Sequence, residues 1–324
     1  MAAAILLLLG AGAFGFFRTS LWAPDENDSE RLFQVEPGSG LGQVARGLEA
    51  EGLIRAAWSF EALGRLRGAG SQLRAGEYIL SSALGAEQIL ERLTSGQVRT
   101  HRVAIPEGLT AREIADRLAD AGLVDAGAFL EVIASPEAAR DFGVEGPGLE
   151  GYLFPETYQL ARGLSPQEVA GAMVEQFRSV WDGLAPAAQE QGLSMRETVI
   201  LASIVEKETG AAPERPLIAS VFHNRLARGM RLETDPSVIY GIPDFDGNLR
   251  RVHLNDPSNP YNTYQHAGLP PGPIANPGAH ALQAAIAPSD SAYLFFVSRN
   301  DGTHVFSRSY AEHVAAVNRF QRRR

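Results

Sequence analysis

The residues best suited to catalysis in this sequence are the acids that end one apolar stretch, between residues 194 and 210. The stretch finishes with Glu206, Lys207 and Glu208. A carboxyl group in the last turn of a helix lies near the negative end of the helix dipole, and partial burial also disfavours its charged form. Both effects favour a carboxyl group that keeps its proton, as a general acid must. Taken alone, the same residues also fit the solvated end of a core helix with no catalytic role.

Capping signals and apolar residues predict that this stretch is a buried helix. Ser194 and Glu197 have the spacing of a capping box, and Gly210 is placed as a helix stop. Between them, apolar side chains surround the whole circumference of the helix, which is typical of a buried element. These residues are Val199, Ile200, Leu201, Ile204 and Val205.

Glu206 is the acid whose neighbours leave room for a ligand. It shares a stripe of the helix with Ala202 and Ser203, whose small side chains predict open space beside its carboxyl group. Glu208 lies two residues further on and points to another face, so we do not expect it in the same pocket. The spacing therefore predicts a pocket at Glu206.

The composition is that of a globular protein. The 324 residues are enough for two or three domains. Hydrophobic residues make up 45% and charged residues 21%, which excludes a disordered chain. The net charge of -9 opposes binding to nucleic acid over a wide surface. A neutral or carbohydrate-like partner fits this charge better.

No cofactor or metal is predicted. The sequence has no cysteine, which excludes disulfides, thiolate metal sites and cysteine nucleophiles. Its 7 histidines show no spacing typical of metal ligands. A phosphate-binding loop of the GxxxxGK[ST] type and a GxSxG serine motif are also absent from the sequence.

Residues 1–23 predict a single membrane anchor. The first 17 residues carry no charged side chain, and Arg18 is the only charged residue before position 25. This length reaches the lower limit for spanning a bilayer, about 17 residues. A cleaved signal peptide is the alternative, because the small residues 11–13 resemble a cleavage site. The charges do not fix the orientation of the anchor.

A pattern that occurs twice, 70 residues apart, predicts two small α+β units, at residues 30–100 and 101–160. Each copy consists of a short strand, at 32–35 or 102–105, then a turn and an amphipathic helix that ends at glycine. The second unit also includes the segment that connects it to the rest of the chain.

The first unit resembles the carbohydrate-binding LysM module. A further strand at 75–80 gives it the order strand, helix, helix, strand, and another helix follows at 86–95. The resemblance covers element order alone. A lobe that acts only as a spacer is the alternative.

The rest of the chain, residues 161–324, predicts a mainly helical α+β domain with a hairpin. Two helices are expected between 166 and 191, another over 213–228, and a further one that starts with Asp235 as its cap. A hairpin between 293 and 307 precedes the final helix. The long loop at 255–278, rich in proline, glycine and aromatic residues, is typical of a functional segment.

Several segments together resemble one family, the endolytic murein transglycosylases, or YceG-like proteins, of bacteria. They occur in the family's order and cover most of the chain after residue 105. The segments are 149–157 (LEGYLFPET), 202–209 (ASIVEKET), 219–226 (ASVFHNRL), 229–241 (GMRLETDPSVIYG), 261–264 (YNTY) and 268–278 (GLPPGPIANPG).

The resemblance implies where such a protein works and on what. It implies one anchoring helix in the bacterial inner membrane, the bulk of the chain outside the cytoplasm, a LysM-like subdomain and a catalytic domain. The expected reaction cleaves the β-1,4 bond between N-acetylmuramic acid and N-acetylglucosamine in nascent glycan strands, which terminates the strand. Cell-wall synthases are candidate partners. The family usually has basic residues before its membrane helix, and this chain has none.

The resemblance also implies that Glu206 is the catalytic acid. A lytic transglycosylase needs only one carboxyl group, because the C6 hydroxyl of the same muramic acid ring is the nucleophile and is already tethered near the anomeric carbon. Glu206 would protonate the glycosidic oxygen and then accept the proton of that hydroxyl, which gives a 1,6-anhydro end. Glu233 and Asp235 are candidates to stabilise the positive charge of the transition state. Other candidates for the sugar groove are Thr234, Asn262, Tyr264, Leu269, Pro270, Pro271 and Asn276.

Two other functions remain open from the sequence. A hydrolytic muramidase would use two carboxyl groups and release reducing ends instead of anhydro ends. A peptidoglycan-binding scaffold would cleave nothing.

Overall fold

The structure, a computed structural model, describes residues 11–12, 14–25, 29–208 and 210–322. The chain divides into two compact units. The first unit contains the described residues up to 103 with two short segments, 122–124 and 159–165. The second contains residues 104–121, 125–158 and the described residues from 166 onwards.

The first unit is a small α+β unit. Its strands β1 and β2 pair antiparallel, with Phe33 opposite Tyr78, and both rings face the core. Helices α1, α2 and α3 bury Leu48, Phe60 and Ile89 in the same core. The elements are β1 (Arg31–Val35), α1 (Leu41–Ala50), α2 (Ala57–Leu66), a short 3-10 helix (Ala69–Ser71), β2 (Gly76–Leu80) and α3 (Ala86–Ser95).

This order contains the predicted strand, helix, helix, strand sequence. The last helix of the unit begins and ends at the predicted residues. No finding tests a LysM-like role or the domain boundaries, so both stay predictions.

The internal repeat is visible in the backbone. Strand β3 (Thr100–Ala104) and helix α4 (Ala111–Asp120) repeat the order of β1 and α1. The turn glycines Gly38 and Gly108 both have φ of 78°, which only glycine adopts readily. Strand β3 forms its own two-stranded sheet with β4 (Thr157–Ala161).

The second unit is mainly helical and includes a β-hairpin. Its elements after α4 are α5 (Ala126–Ile133), α6 (Pro136–Asp141), α7 (Pro166–Glu190), α8 (Met195–Glu208), a 3-10 helix (Ala212–Glu214), α9 (Arg215–Ala227), α10 (Asp235–Tyr240), α11 (Arg251–Leu254), α12 (Ala279–Ile286), β5 (Phe295–Ser298), β6 (His304–Ser307) and α13 (Tyr310–Phe320). Strands β5 and β6 are the predicted antiparallel hairpin.

Helix α8 forms the centre of the second unit, as its apolar circumference predicted. Every residue from 198 to 205 is buried, and the helix packs against α7, α9, α10 and α12. The predicted capping box starts it: the Ser194 backbone N–H donates to the Glu197 carboxylate at 3.0 Å, and Glu197 N–H donates to the Ser194 hydroxyl at 3.2 Å. The predicted stop at Gly210 follows residue 209, which lies outside the described residues. The capped start and the buried middle of helix α8 therefore fix the position of its last residues, 206–208.

Two local predictions are wrong. The two helices expected between 166 and 191 are one helix, α7, with Pro186 inside it. Proline leaves the carbonyl of Asp182, one turn back, without its helical partner, and Asp182 is exposed, so water can bond this carbonyl instead. Asp235 is not the cap of α10: Thr234 holds the cap position, and neither residue makes a capping hydrogen bond.

The predicted anchor falls largely outside the described residues, since 1–10 and 13 belong to it. Residues 14–20 are helical. Within the part of the chain that the structure describes, no helix has both the length and the apolar character needed to cross a bilayer.

Candidate active site

Glu206, in the last turn of α8, is a paired carboxylate. Its side chain is only 5% exposed. One oxygen accepts a hydrogen bond from Nη2 of Arg215 at 2.9 Å, and the other accepts one from the backbone N–H of Gly278 at 3.0 Å. The cation and the amide dipole together compensate the charge of this carboxylate.

The contacts of Glu206 belong to a polar cluster that fixes the end of α8. Arg215 also approaches the carboxylate of Glu107 at 3.4 Å. The neighbouring Lys207 donates from Nζ to the carbonyl oxygen of Gly108 at 3.1 Å. The cluster therefore connects α8 to the turn at 107–108 and to the start of α12.

The open space predicted beside Glu206 is occupied by the chain itself. Ala202 and Ser203 are completely buried. The backbone N–H of Ile274 donates to the Ser203 hydroxyl at 3.1 Å. Because small side chains admit a neighbouring backbone as readily as a ligand, the stripe receives the loop that contains Ile274 instead of forming a pocket.

Glu208, the last residue of α8, lies in different surroundings. Its carboxyl group accepts a hydrogen bond from the Thr234 hydroxyl and lines a cavity of about 360 Å³. No arginine or lysine forms an ion pair with it among the residues that the structure describes. Other residues that line the cavity are Arg225, Glu233, Asp235, Tyr264 and His313.

Burial raises the pKa of Glu208 to about 7, because a partly buried carboxylate loses hydration that no cation replaces. The hydrogen bond from Thr234 acts in the opposite direction, and the negative charge of Asp235 raises the pKa further. A carboxyl group with a pKa near neutrality can both give and take a proton at physiological pH.

Arg225 is the cation of this cavity, and its Nε and Nη1 are engaged by groups other than Glu208. Its Nε donates to the carbonyl oxygen of Leu294 at 2.7 Å, and its Nη1 lies 3.0 Å from the carboxylate of Glu233. Glu233 has a left-handed backbone, with φ of 52°, which is costly for a residue with a side chain. This conformation and the ion pair hold Glu233 at the cavity.

Asp235 and Tyr264 also line the cavity. The Tyr264 hydroxyl donates to the Asp235 carboxylate at 2.7 Å. Since Asp235 does not cap its helix, this carboxylate is available to the cavity. The structure thus places four of the predicted site residues around Glu208, which the sequence did not predict as catalytic. They are Glu233, Thr234, Asp235 and Tyr264.

His313 is a cavity residue that sequence reasoning missed. Its ring stacks on Phe295 with centroids 5.2 Å apart. Its Nδ1 is buried without a hydrogen-bond partner, and desolvation lowers the pKa of the ring. Because this nitrogen is buried, the ring contributes to the cavity through its other atoms. No motif surrounds His313 in the sequence, so only the fold identifies it.

The two asparagines selected from the sequence are completely buried. Nδ2 of Asn262 bonds three backbone carbonyl oxygens, those of His253, Leu254 and Asp256. Asn276 accepts from the N–H of Leu153 at 2.9 Å. Both amides hold loops together, so neither forms the wall of a groove.

The proline-rich segment 269–271, predicted as a wall of the sugar groove, does not line the cavity of Glu208. Pro270 is buried, Pro271 is exposed and Leu269 is intermediate. The carbonyl oxygen of Pro271 accepts a hydrogen bond from Arg196, at the start of α8. None of the three lines the cavity that contains Glu208. In the part of the chain that the structure describes, no group of 3 or more histidines and acids could hold a metal ion.

Comparisons with known proteins agree on one family. The model of the YceG-like family matches residues 33–319. A protein of Bacillus subtilis named endolytic murein transglycosylase is 31% identical over 97% of this chain and 91% of its own length. A Streptococcus pneumoniae protein of the same name is 27% identical over 96% of this chain, which spans 64% of that protein.

A solved structure supports the same relationship. The crystal structure of a YceG-like protein from Listeria monocytogenes superposes with a TM-score of 0.61 at 30% sequence identity. The match covers 89% of this chain and 99% of the Listeria chain. With its sequence matched by the family model over most of its length, the chain belongs to the YceG-like family.

Proposed function

We propose that this protein is an endolytic murein transglycosylase, like its named relatives, and that Glu208 is its catalytic acid and base. The observation that carries the assignment is the position of Glu208 in a cavity where no arginine or lysine of the described residues pairs with it. The prediction that Glu206 is the catalytic acid stays a prediction. The geometry favours Glu208, because Glu206 already has a cation and an amide as partners.

The reaction needs one carboxyl group that acts twice. Protonated Glu208 donates its proton to the glycosidic oxygen between N-acetylmuramic acid and N-acetylglucosamine, and the bond to the anomeric carbon breaks. The resulting carboxylate then accepts the proton of the C6 hydroxyl while that oxygen bonds to the anomeric carbon. The products are a 1,6-anhydro end and a free N-acetylglucosamine end, and Glu208 is protonated again. No water is consumed.

Other cavity residues position the sugar and stabilise the transition state. The carboxylate of Asp235 faces the same cavity as Glu208, where a negative charge stabilises a developing oxocarbenium ion. The Thr234 hydroxyl orients the Glu208 carboxyl group.

Glu206 has a structural role in this proposal. Its ion pair with Arg215 holds the end of α8, and therefore the position of Glu208 two residues later. A positioning residue of this kind affects activity through the fold of the loop, not through proton transfer.

Hydrolysis is the rival reaction, and one observation favours it. Asp235 is a second carboxylate in the cavity, and a pair of carboxyl groups is what a hydrolytic glycosidase requires. Against this, Asp235 is held by the Tyr264 hydroxyl, which limits its use as a nucleophile or base.

Product analysis decides between the two reactions. The protein is incubated with purified peptidoglycan, and the released fragments are analysed by mass spectrometry. Fragments one water lighter than the hydrolysis products, with anhydro ends, are expected. Reducing ends from the wild type, absent in the Glu208→Gln variant, would establish the hydrolase instead.

We also propose that the protein is held in the bacterial inner membrane by a single helix within residues 1–23, with both units outside the cytoplasm and close to cell-wall synthases. The support is the uncharged sequence of the first 17 residues. Protease digestion of spheroplasts tests this: digestion of the second unit from outside is expected, and full protection of the chain would contradict it.

A further inference from the structure

A second cavity lies in the same unit, away from Glu208. Its volume is about 1040 Å³, at the upper limit of the range of about 300–1,000 Å³ that holds a small-molecule ligand. It is lined by the first turn of α4, the end of α5, the loop at 146–152 and the segment that ends α10 and continues to residue 245. Nothing in the proposed mechanism uses it.

Glu150 supplies the polar floor of this cavity. Its carboxyl group accepts hydrogen bonds from the N–H of Ala111 at 3.0 Å, from Nδ2 of Asn276 at 2.8 Å and from the Tyr240 hydroxyl at 3.1 Å. Desolvation raises the pKa of Glu150 to about 7. Below about pH 7 the Glu150 carboxyl group is therefore mostly neutral, and it can then both donate and accept a hydrogen bond.

Aromatic rings line the same cavity. Tyr240 and Tyr261 meet edge to face with centroids 4.8 Å apart, and Phe245 lies on the following segment. Sugar rings present flat apolar C–H faces and polar edges, so they bind where aromatic rings and hydrogen-bonding groups occur together. Such a lining fits a sugar better than a purely apolar ligand.

The charges of the lining disfavour an acidic ligand. Asp244 and Glu113 contribute carboxylates, against the single guanidinium of Arg112. A stem peptide carries free carboxylates, which these acids disfavour. Asp244 also has a left-handed backbone, with φ of 50°, and strain of this kind is concentrated at binding sites.

Helix α10 connects the two cavities. Asp235 at its start lines the Glu208 cavity, and Tyr240 at its end lines the second cavity. Six residues of helix are about 9 Å long at 1.5 Å per residue. This separation is comparable with the length of one disaccharide.

We infer that the second cavity is a distal binding site for the neutral glycan strand, about one disaccharide away from the bond that is cleaved. The inference rests on the proposed function, since it names a further contact of the same substrate. It makes the enzyme selective for strands long enough to reach both cavities.

The test is a binding titration with peptide-free glycan strands of defined length, performed on the full chain with Glu208→Gln so that nothing is cleaved. Two variants alter the cavity: Phe245→Ala removes a ring, and Asp244→Gly removes a carboxylate while relieving the left-handed backbone. Val252→Ala is the control, because Val252 is 66% exposed on the neighbouring helix α11 and does not line the cavity.

Both cavity variants are expected to weaken binding of long strands about three- to tenfold, as the loss of one aromatic or hydrogen-bonding contact does. Binding of strands too short to span the two cavities should not change, and the control should bind like its parent. Equal affinities of all variants for long strands would overturn the inference. A loss seen only with peptide-bearing strands would overturn the choice of glycan as ligand.

Activity of the protein with Glu208 intact separates this inference from the proposed function. Release of anhydro products together with unchanged binding by the cavity variants refutes the distal site alone. Absence of any cleavage by the wild type refutes the proposed function itself.

Discussion

Glu206 and Glu208 lie two residues apart on one helix, in opposite electrostatic surroundings. Glu206 has a guanidinium at 2.9 Å and an amide N–H at 3.0 Å. Glu208 has a hydroxyl donor, a neighbouring carboxylate and a cavity. Arg225, the arginine that lines the same cavity, donates to a backbone carbonyl oxygen and forms an ion pair with Glu233.

The difference shows how one helix end supports both structure and chemistry. The paired carboxylate of Glu206 fixes the segments around it, whereas burial raises the pKa of the unpaired Glu208 carboxyl group, which can therefore transfer a proton. Glu206 keeps the end of the helix in place, so Glu208 can stay in a cavity that disfavours its charged form.

The largest expected effect is on the rate of cleavage. Glu208→Gln should lower the rate about 10²–10⁴-fold, the usual contribution of a general acid. The matched variant Glu206→Gln, with the same chemical change two residues away, should lose less than about tenfold, because its carboxylate transfers no proton. The release of anhydro muropeptides measures both rates. A larger loss from Glu206→Gln would return the catalytic role to Glu206.

The next effect is on stability. Arg215→Met should destabilise the protein by about 3–5 kcal/mol, because Glu206 is then left buried without its cation. The control Arg140→Met breaks an exposed pair with Glu137 and should cost at most about 1 kcal/mol. Urea unfolding of both variants gives the free energies. Similar small losses from the two variants would mean that the Glu206 pair does not hold the helix end.

A smaller effect is expected in the pH dependence of stability. The pKa of Glu208 rises from its ordinary value of 4.5 to about 7 in the folded state. Between these two pH values the unfolded chain releases this proton and the folded chain keeps it, so stability falls as pH rises through the window. Glu208→Gln removes this part of the fall.

Urea unfolding of the wild type and of Glu208→Gln between pH 4.5 and pH 7 measures the difference. The variant should gain stability relative to the wild type as pH rises, while Glu150, with a pKa also raised to about 7, still contributes its own slope in both proteins. Parallel stability curves would show that Glu208 titrates normally.

Local features of the fold could be predicted from the sequence. The capping box at Ser194, the burial of α8, the repeated units and the β5–β6 hairpin depend on residues that are close together in the chain. Hydrophobic periodicity and capping chemistry determine such elements. The resemblance to the family was also readable, because its motifs are contiguous.

Local sequence patterns could not show whether Glu206 or Glu208 is the better candidate for the catalytic acid. It depends on segments far along the chain: Gly278 bonds Glu206 from 72 residues away, and Thr234 bonds Glu208 from 26 residues away. The small residues beside Glu206 predict a pocket, although the loop at Ile274 lies against Ser203 in that space. The sequence predicts Asp235 as a cap, whereas Thr234 holds the cap position in the structure.

The most direct test of the central claim is the pH dependence of kcat/KM for glycan cleavage, which reports the groups that titrate in the free enzyme. If Glu208 supplies the proton, activity falls as pH rises through about 7, the raised pKa of this carboxyl group. Thr234→Val should move this fall to higher pH, since the lost hydrogen bond had lowered the pKa. Asp235→Asn should move it to lower pH, since the lost charge had raised it. A fall that neither variant moves, but that Glu206→Gln abolishes, would contradict the account.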